Sequence, residues 1–251
     1  MSFEKKYILA IESSGKVCGI ALLSFNDNPS FAHNSNFELL SEYNIYVGNK
    51  HDKFLAELSC RILNDNDLKT ENLSAVAVSI GPGSFTGLRI GSALARGLCF
   101  DSENEKEENS IKLIAVPTLK ALAYKVSIFL KSTNYFEKNN VNDCKTLSII
   151  PSHNDLVYEQ LFDFQNNNLT EISFSKIDEV KNKYAQEEKL FLSTNYKIDI
   201  DLGIYSPEFS QITVATVGKL AIQMYKNDEF TEAEKLVPLY IQDFIPNNHN
   251  S

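Results

Sequence analysis

Cysteine is scarce in this chain of 251 residues, with Cys18, Cys60, Cys99 and Cys144 scattered and no C-x-x-C pair among them. That spacing argues against a disulfide framework and against a thiolate metal site, and reads as reduced, mostly buried thiols. Histidine is equally sparse, and His33, His51, His153 and His249 show no ligand spacing. His51 stands at the start of a helical pattern and reads as a helix-start or packing residue rather than a ligand. No Ser/His/Asp or Cys/His set can be assembled, so no catalytic residues for nucleophilic or metal chemistry are assigned. No apolar run approaches the length that crosses a bilayer. The stretch Met1 to Lys6 is polar, without the apolar core of a signal peptide. The expected location is the cytoplasm, with no membrane contact.

Positive charge is also short. The net charge is -9, and an acidic chain is a poor direct binder of nucleic acid, whose affinity comes mainly from Lys and Arg against phosphate. The hydrophobic share of 43% and charged share of 23% fit an ordinary globular protein with ample core.

What is present centres on Ala75 to Leu98, A-V-A-V-S-I-G-P-G-S-F-T-G-L-R-I-G-S-A-L-A-R-G-L. A β-branched run ends at Gly81-Pro82-Gly83, a turn signal, and Ser84 can cap the helix that follows. Strand, glycine turn and helix start aim several N–H groups at one spot, which either cradles a phosphate or merely makes a tight turn. It is no Walker loop, since no Lys follows the turn. Gly81, Gly83 and Gly87 are one residue too widely spaced for a dinucleotide fingerprint. Gly87, Gly91 and Ala95 recur every four residues on one helix face, which therefore admits another helix closely. Both an internal packing partner and a separate protein's helix satisfy that pattern.

Along the chain, strands are expected at Tyr7 to Glu12, Cys18 to Ser24, Phe37 to Tyr46, Ala75 to Ile80 and Ile111 to Val116. Helices are expected at Lys50 to Asn64, after the glycine turn, and at Leu119 to Leu130. Asp101 to Ser110 is acidic and polar and reads as a linker. Beyond Cys144 come strands at Thr146 to Ile150, Leu156 to Phe164, Glu171 to Ser175 and Leu190 to Ser193, with helices at Ile177 to Ala185 and Gln211 to Tyr225. Each half reads strand-strand-strand-helix-strand-helix, which suggests two α/β subdomains related by pseudo-symmetry. The division is drawn as 1–106 and 107–251, with helix 211–226 able to pack back on the first.

I-L-A-I-E-S-S at Ile8 to Ser14, His51, S-I-G-P-G-S-F-T-G-L-R-I-G at Ser79 to Gly91 and A-V-P-T-L-K-A-L-A at Ala115 to Ala123 resemble the TsaB family. The resemblance is strong from about Tyr7 to Leu130 and thin beyond Cys144, where L-V-Y-E at Leu156 to Glu159 and P-L-Y at Pro238 to Tyr240 match. It implies an α/β fold of two subdomains of the actin/sugar-kinase/Hsp70 type (ASKHA, ribonuclease H-like). It implies a non-catalytic scaffold that pairs with a TsaD-like catalytic subunit, or with itself as a homodimer. With a TsaE-like ATPase these make threonylcarbamoyladenosine beside the anticodon of tRNA. By the same resemblance this chain requires no cofactor, any ATP or ADP belongs to the complex, and tRNA is met only through that complex. The pairing helix would present Phe85, Gly87, Leu88, Gly91, Ser92 and Ala95 to the partner.

TsaD-like relatives hold a metal with two His four residues apart; Thr118 and Leu122 occupy those positions, so no metal site is expected. The first hairpin, Glu12 to Lys16, is where such folds meet nucleotide phosphate, so Glu12, Ser13 and Ser14 are candidate nucleotide contacts or simply turn residues. Pro151-Ser152-His153 departs from the Asp and Arg usual in the family. Other readings of the same fold are a sugar-kinase-like phosphotransferase, a glycoprotease-like metallopeptidase and a free-standing nucleotide-binding module.

Overall fold

The structure is a computed structural model and describes residues 5–26, 37–46, 51–100, 110–132, 141–196 and 200–239. The first sheet contains β1 (Lys5–Glu12), β2 (Cys18–Asn26), β3 (Phe37–Ile45), β4 (Ala75–Gly81) and β5 (Lys112–Pro117), in the order β3-β2-β1-β4-β5. β1 to β3 form an antiparallel meander, and β4 and β5 join parallel. The second sheet contains β6 (Lys145–Pro151), β7 (Leu156–Asp163), β8 (Ser173–Lys176), β9 (Leu190–Thr194) and β10 (Ile204–Ser210), in the order β10-β9-β6-β7-β8 with the same sense of pairing. The two sheets are therefore copies of one topology.

Among the described residues five α-helices sit on these sheets: α1 (His51–Asn64), α2 (Phe85–Phe100), α3 (Thr118–Ser132), α4 (Ile177–Tyr184) and α5 (Val214–Lys226). The central strands are buried on both faces, which is why they read as continuous apolar runs rather than alternating ones. Alternate residues still go to opposite sides. Ile8, Ala10, Ala21, Leu23, Ala75 and Ala77 join a core built with α3 and α5. Leu9, Ile11, Ile20, Leu22, Val76 and Val78 join one built with α1 and α2. Alanines on the first side let α5 come close: a Cβ on Gly218 would lie 2.2 Å from Leu23 and 3.2 Å from Ala10.

The helices exchange between halves. α3 follows β5 of the first sheet yet packs on β6 and β9 of the second, while α5 packs on β1 and β2 of the first. One core cluster consequently contains Ile8 and Ile114 together with Ile150, Phe162 and Leu220.

Two expectations are corrected. The boundary at 106/107 falls one strand too early, because β4 pairs in parallel with Lys112–Pro117, which belongs to the first sheet. In the second half a strand was missing: β10, I-Y-S-P-E-F-S, carries Pro207 and only a broken register on β9. Proline removes a ladder donor, so it sits on this edge strand and hides the strand pattern. With β10 in place, α5 corresponds to α3 rather than to α2. The linker expected at Asp101 to Ser110 lies, apart from Ser110, outside the described residues.

Candidate partner interface and interdomain cleft

The Gly81-Pro82-Gly83 turn carries α2 directly onto the β1–β2 turn. Gly81 has φ +107°, a left-handed conformation that a side chain would strain, and a Cβ there would lie 2.9 Å from Leu88. Its N–H donates to Thr118 Oγ1 (3.1 Å). Ser84 caps α2, its Oγ accepting from Gly87 N (3.3 Å), as the sequence led one to expect. Ser84 N donates to the Ser14 carbonyl (2.7 Å), and Leu88 N to the Ser84 carbonyl (2.8 Å). These amides at the helix start thus meet oxygens of the chain itself, so the phosphate-cradle reading of this turn gives way to an internal clamp.

The glycines explain how close that clamp is. A Cβ on Gly83 would lie 2.3 Å from Ser14 O, one on Gly87 2.0 Å from Ser13 O, and one on Gly91 2.3 Å from Ser13 Oγ. Leu88, Ser92 and Ala95 on the same side are buried as well. The expectation that Gly87, Leu88, Gly91, Ser92 and Ala95 face a partner is therefore corrected. That face is spent on the Ser13–Ser14 turn and on β4, and the small residues are there to admit backbone of the same chain.

Glu12, Ser13 and Ser14 are corrected for the same reason. They are 0%, 0% and 1% exposed, so they do not line an open cleft. Glu12 Oε1 accepts from Ser14 N (2.6 Å) and Ser14 Oγ (2.5 Å), while Oε2 has no hydrogen-bond partner. Burial pushes its carboxyl up to about 7, against the opposing pull of the Ser14 hydrogen bonds.

The opposite face of α2 is open. Phe85 is 46% exposed and Phe100 is 65% exposed. Thr86, Arg89, Ala93, Arg96 and Gly97 lie exposed between them, and among the described residues nothing approaches within 4 Å of where a Gly97 Cβ would stand. Arg89 stacks over the Phe85 ring at 3.9 Å from its centroid. Alongside runs a late segment pinned at both ends, Thr231 N to Leu113 O (2.8 Å) and Leu239 N to Ile80 O (2.8 Å). Arg96 donates to the Leu236 carbonyl of that segment, Leu236 is buried, and Val237 beside it is 58% exposed. Of the six interface candidates, Phe85 alone lies on this open face; Gly97 and Phe100 were not singled out, although the 3.6-residue period sets them opposite the glycine row.

Thr118 and Leu122 are both fully buried, the first accepting from Gly81 and the second in the core. Among the described residues no group of three or more His, Cys, Asp or Glu is placed to hold a metal ion. His153 sits exposed at the β6–β7 turn beside Ser152 Oγ (3.2 Å); His33, His249 and the side chain of His51 lie outside the described residues.

Between the halves lies a cavity of about 120 Å³ lined by Gly15, Lys16, Val17, Asn195, Tyr196, Gln211 and Ile212. None of its residues in the second half was legible as a site, because single polar residues in loops carry no spacing signal.

The family model for TsaD, tRNA N6-adenosine threonylcarbamoyltransferase, matches residues 46–220, well over half of the chain. The tRNA threonylcarbamoyladenosine biosynthesis protein TsaB of Bacillus subtilis (strain 168) is 34% identical over 116 residues. The chain belongs to the TsaB family of TsaD-related proteins. TsaB of Escherichia coli (strain K12) is 33% identical over 116 residues. Each match covers 46% of this chain, and it spans 43% of the Bacillus protein and 42% of the Escherichia protein, less than half of each relative. The solved structure of YeaZ from Pseudomonas aeruginosa shares the fold, with a TM-score of 0.66 over 94% of this chain and 100% of that one at 19% identity. The architecture of this TsaB-family chain is accordingly the two-subdomain ASKHA, ribonuclease H-like fold. No helix among the described residues is long and apolar enough to cross a membrane.

Proposed function

We propose that this chain is a non-catalytic subunit in the synthesis of threonylcarbamoyladenosine on tRNA, docking a TsaD-like catalytic subunit through the outer face of α2. The observation that carries the reading is that face itself. Two exposed phenylalanines, Phe85 and Phe100, bracket the small residues Ala93 and Gly97 on a helix whose other side is locked into its own domain. Exposed aromatic anchors flanking a row that a second helix can approach are what a specific interface uses. Family membership supports the pathway, since its TsaB relatives are tRNA threonylcarbamoyladenosine biosynthesis proteins by name. The commitment of Thr118 and Leu122 to the fold supports a scaffold role rather than chemistry. In this reading the chain pairs with itself when alone, a TsaE-like ATPase completes the assembly, and tRNA is held mainly by the partner, consistent with a net charge of -9.

The test is co-purification with the TsaD-like protein of the same cell, using wild type, Phe85→Asp and Phe100→Asp. Both variants should keep the melting temperature of the isolated chain and weaken pairing by about tenfold or more, as loss of a buried aromatic anchor does. Normal pairing by both variants would place the interface elsewhere. Threonylcarbamoyl transfer by the highly purified chain alone would make it an enzyme.

A further inference from the structure

Glu12 is a fully buried acid with an incomplete set of hydrogen bonds. Ser14 holds one of its oxygens twice, through its N–H (2.6 Å) and its Oγ (2.5 Å), while among the described residues Oε2 has no partner. The carbonyl of the same Ser14 accepts from Ser84 N (2.7 Å), and Ser84 Oγ caps α2 at Gly87 N (3.3 Å). A chain of hydrogen bonds therefore runs from the carboxyl, through the β1–β2 turn, into the start of α2. Two further buried hydroxyls, Ser13 Oγ and Ser92 Oγ of α2, also lack a partner among the described residues. Ser13 Oγ abuts α2 directly, at 2.3 Å from where a Gly91 Cβ would stand.

The surroundings do not neutralise a charge there. β2 contributes Cys18 and the second half contributes Tyr196; burial first, and the charge of Glu12 second, push both up, so both stay neutral at neutral pH. β4 contributes the uncharged Ser79, whose Oγ accepts from Ser13 N (3.4 Å). α2 buries Gly87, Leu88, Gly91, Ser92 and Ala95, and its two arginines lie on the exposed side. Lys16, on the same turn, is exposed over the Tyr196 ring, 5.1 Å from its centroid. Among the described residues no cation is found in the groups that act on Glu12. A neutral carboxyl carries one O–H donor and no charge, whereas an ionised one only accepts and calls for donors at both oxygens. Water supplies the missing donors, and a buried charge without them is unfavourable. β2 and β4 are bound to β1 by sheet ladders, but the start of α2 rests on the turn through the Ser84 N–Ser14 O bond and glycine contacts that carry no side chain. The helix start is the wall that yields.

We propose that Glu12 is a proton-operated latch on α2: neutral, it seats the first turns of the helix on the Ser13–Ser14 turn, and ionised, it releases them to admit water. The latch belongs to the isolated chain and does not depend on the partner reading. It sets how firmly the exposed side of α2, with Phe85 and Arg89, is held in place.

Backbone hydrogen exchange of the full chain, corrected for the intrinsic rate at each pH, tests it directly. A carboxyl that titrates at about 7 when closed and at 4.5 when open favours opening about tenfold more at pH 8 than at pH 6. The amides of Leu88 to Ser92 should lose about tenfold of their protection over that interval, at a rate indifferent to low urea, the mark of local rather than global opening. Glu12→Gln, permanently neutral, should show no such loss. If that variant does not fold, the wild-type pH and urea profiles carry the test by themselves. The proposal is overturned by protection of α2 that is constant from pH 6 to pH 8, by an equal loss in Glu12→Gln, or by a loss that urea accelerates in step with exchange of β9, since Glu12 would then act only on unfolding of the whole chain.

Discussion

The two halves repeat one strand order, yet they differ in what joins the fourth strand to the fifth. In the first half it is α2, Phe85–Phe100; in the second it is the run from Asn195 to Gly203, with no helix among its described residues. The halves also differ in how they bury a carboxylate. Glu12 at the end of β1 has only Ser14 on one oxygen, while Glu159 on β7 is met by Lys183 Nζ (2.7 Å) and Tyr184 OH (2.8 Å). A duplicated scaffold has thus been loaded unequally. The first half carries an added helix with one exposed side and a half-satisfied acid beneath it. The second meets its buried acid with two partners and supplies the far wall of the cleft.

The sharpest way to break this comparison is to fill the clamp under α2. Gly87→Ala puts a methyl 2.0 Å from a backbone oxygen that cannot move without shifting β1, so it should destabilise by about 3 kcal/mol, the upper part of the overpacking range. Urea unfolding measures it; a loss below about 1 kcal/mol would mean that α2 rides loosely on the turn.

Glu12 tests the acid. Its carboxyl titrates near 7 in the folded chain and at 4.5 in its ordinary state. Between those values the folded chain keeps a proton that the unfolded chain has lost, so this group favours folding most at low pH. That contribution falls as pH rises from 4.5 and is gone above about 7, a change on the order of 3 kcal/mol. Glu12→Gln, permanently neutral, should therefore gain stability relative to wild type between pH 5 and pH 8. A difference that stays constant across that range would show that the acid is not forced up by burial.

Lys183→Met examines the matched group of the second half. It strips one partner from the fully buried Glu159 and leaves Tyr184, so a loss of about 1–3 kcal/mol is expected, discounted because Lys183 itself is about half exposed. Chemical denaturation at neutral pH reads it directly, and an unchanged midpoint would mean that Tyr184 alone suffices.

The smallest effect has the opposite sign. Gly97→Ala, on the open side of the helix that Gly87 clamps, should stabilise the isolated chain by about 1 kcal/mol through helix propensity. If it destabilises instead, something covers that side of α2.

Much of this was legible in advance wherever the signal is local. β1, β2 and β4 are buried on both faces and announce themselves as apolar runs. Ser84 reads as a cap and Gly81 as a turn residue, and both serve so. The order of elements exposed the duplication, apart from β10, whose Pro207 masks a strand held at an edge.

What the chain alone determines, then, is each element whose cause lies within a few residues, together with the glycine turn that carries the family resemblance. It states that one side of α2 is small, but not what that smallness admits. The decision between a partner's helix and the Ser13–Ser14 turn rests on a contact across some 70 residues of sequence, and the tertiary structure alone makes it. The same holds for the exchange of α3 and α5 between sheets, and for the meeting of Gly15 with Asn195. Periodicity reports which residues share a face; only packing determines what that face meets.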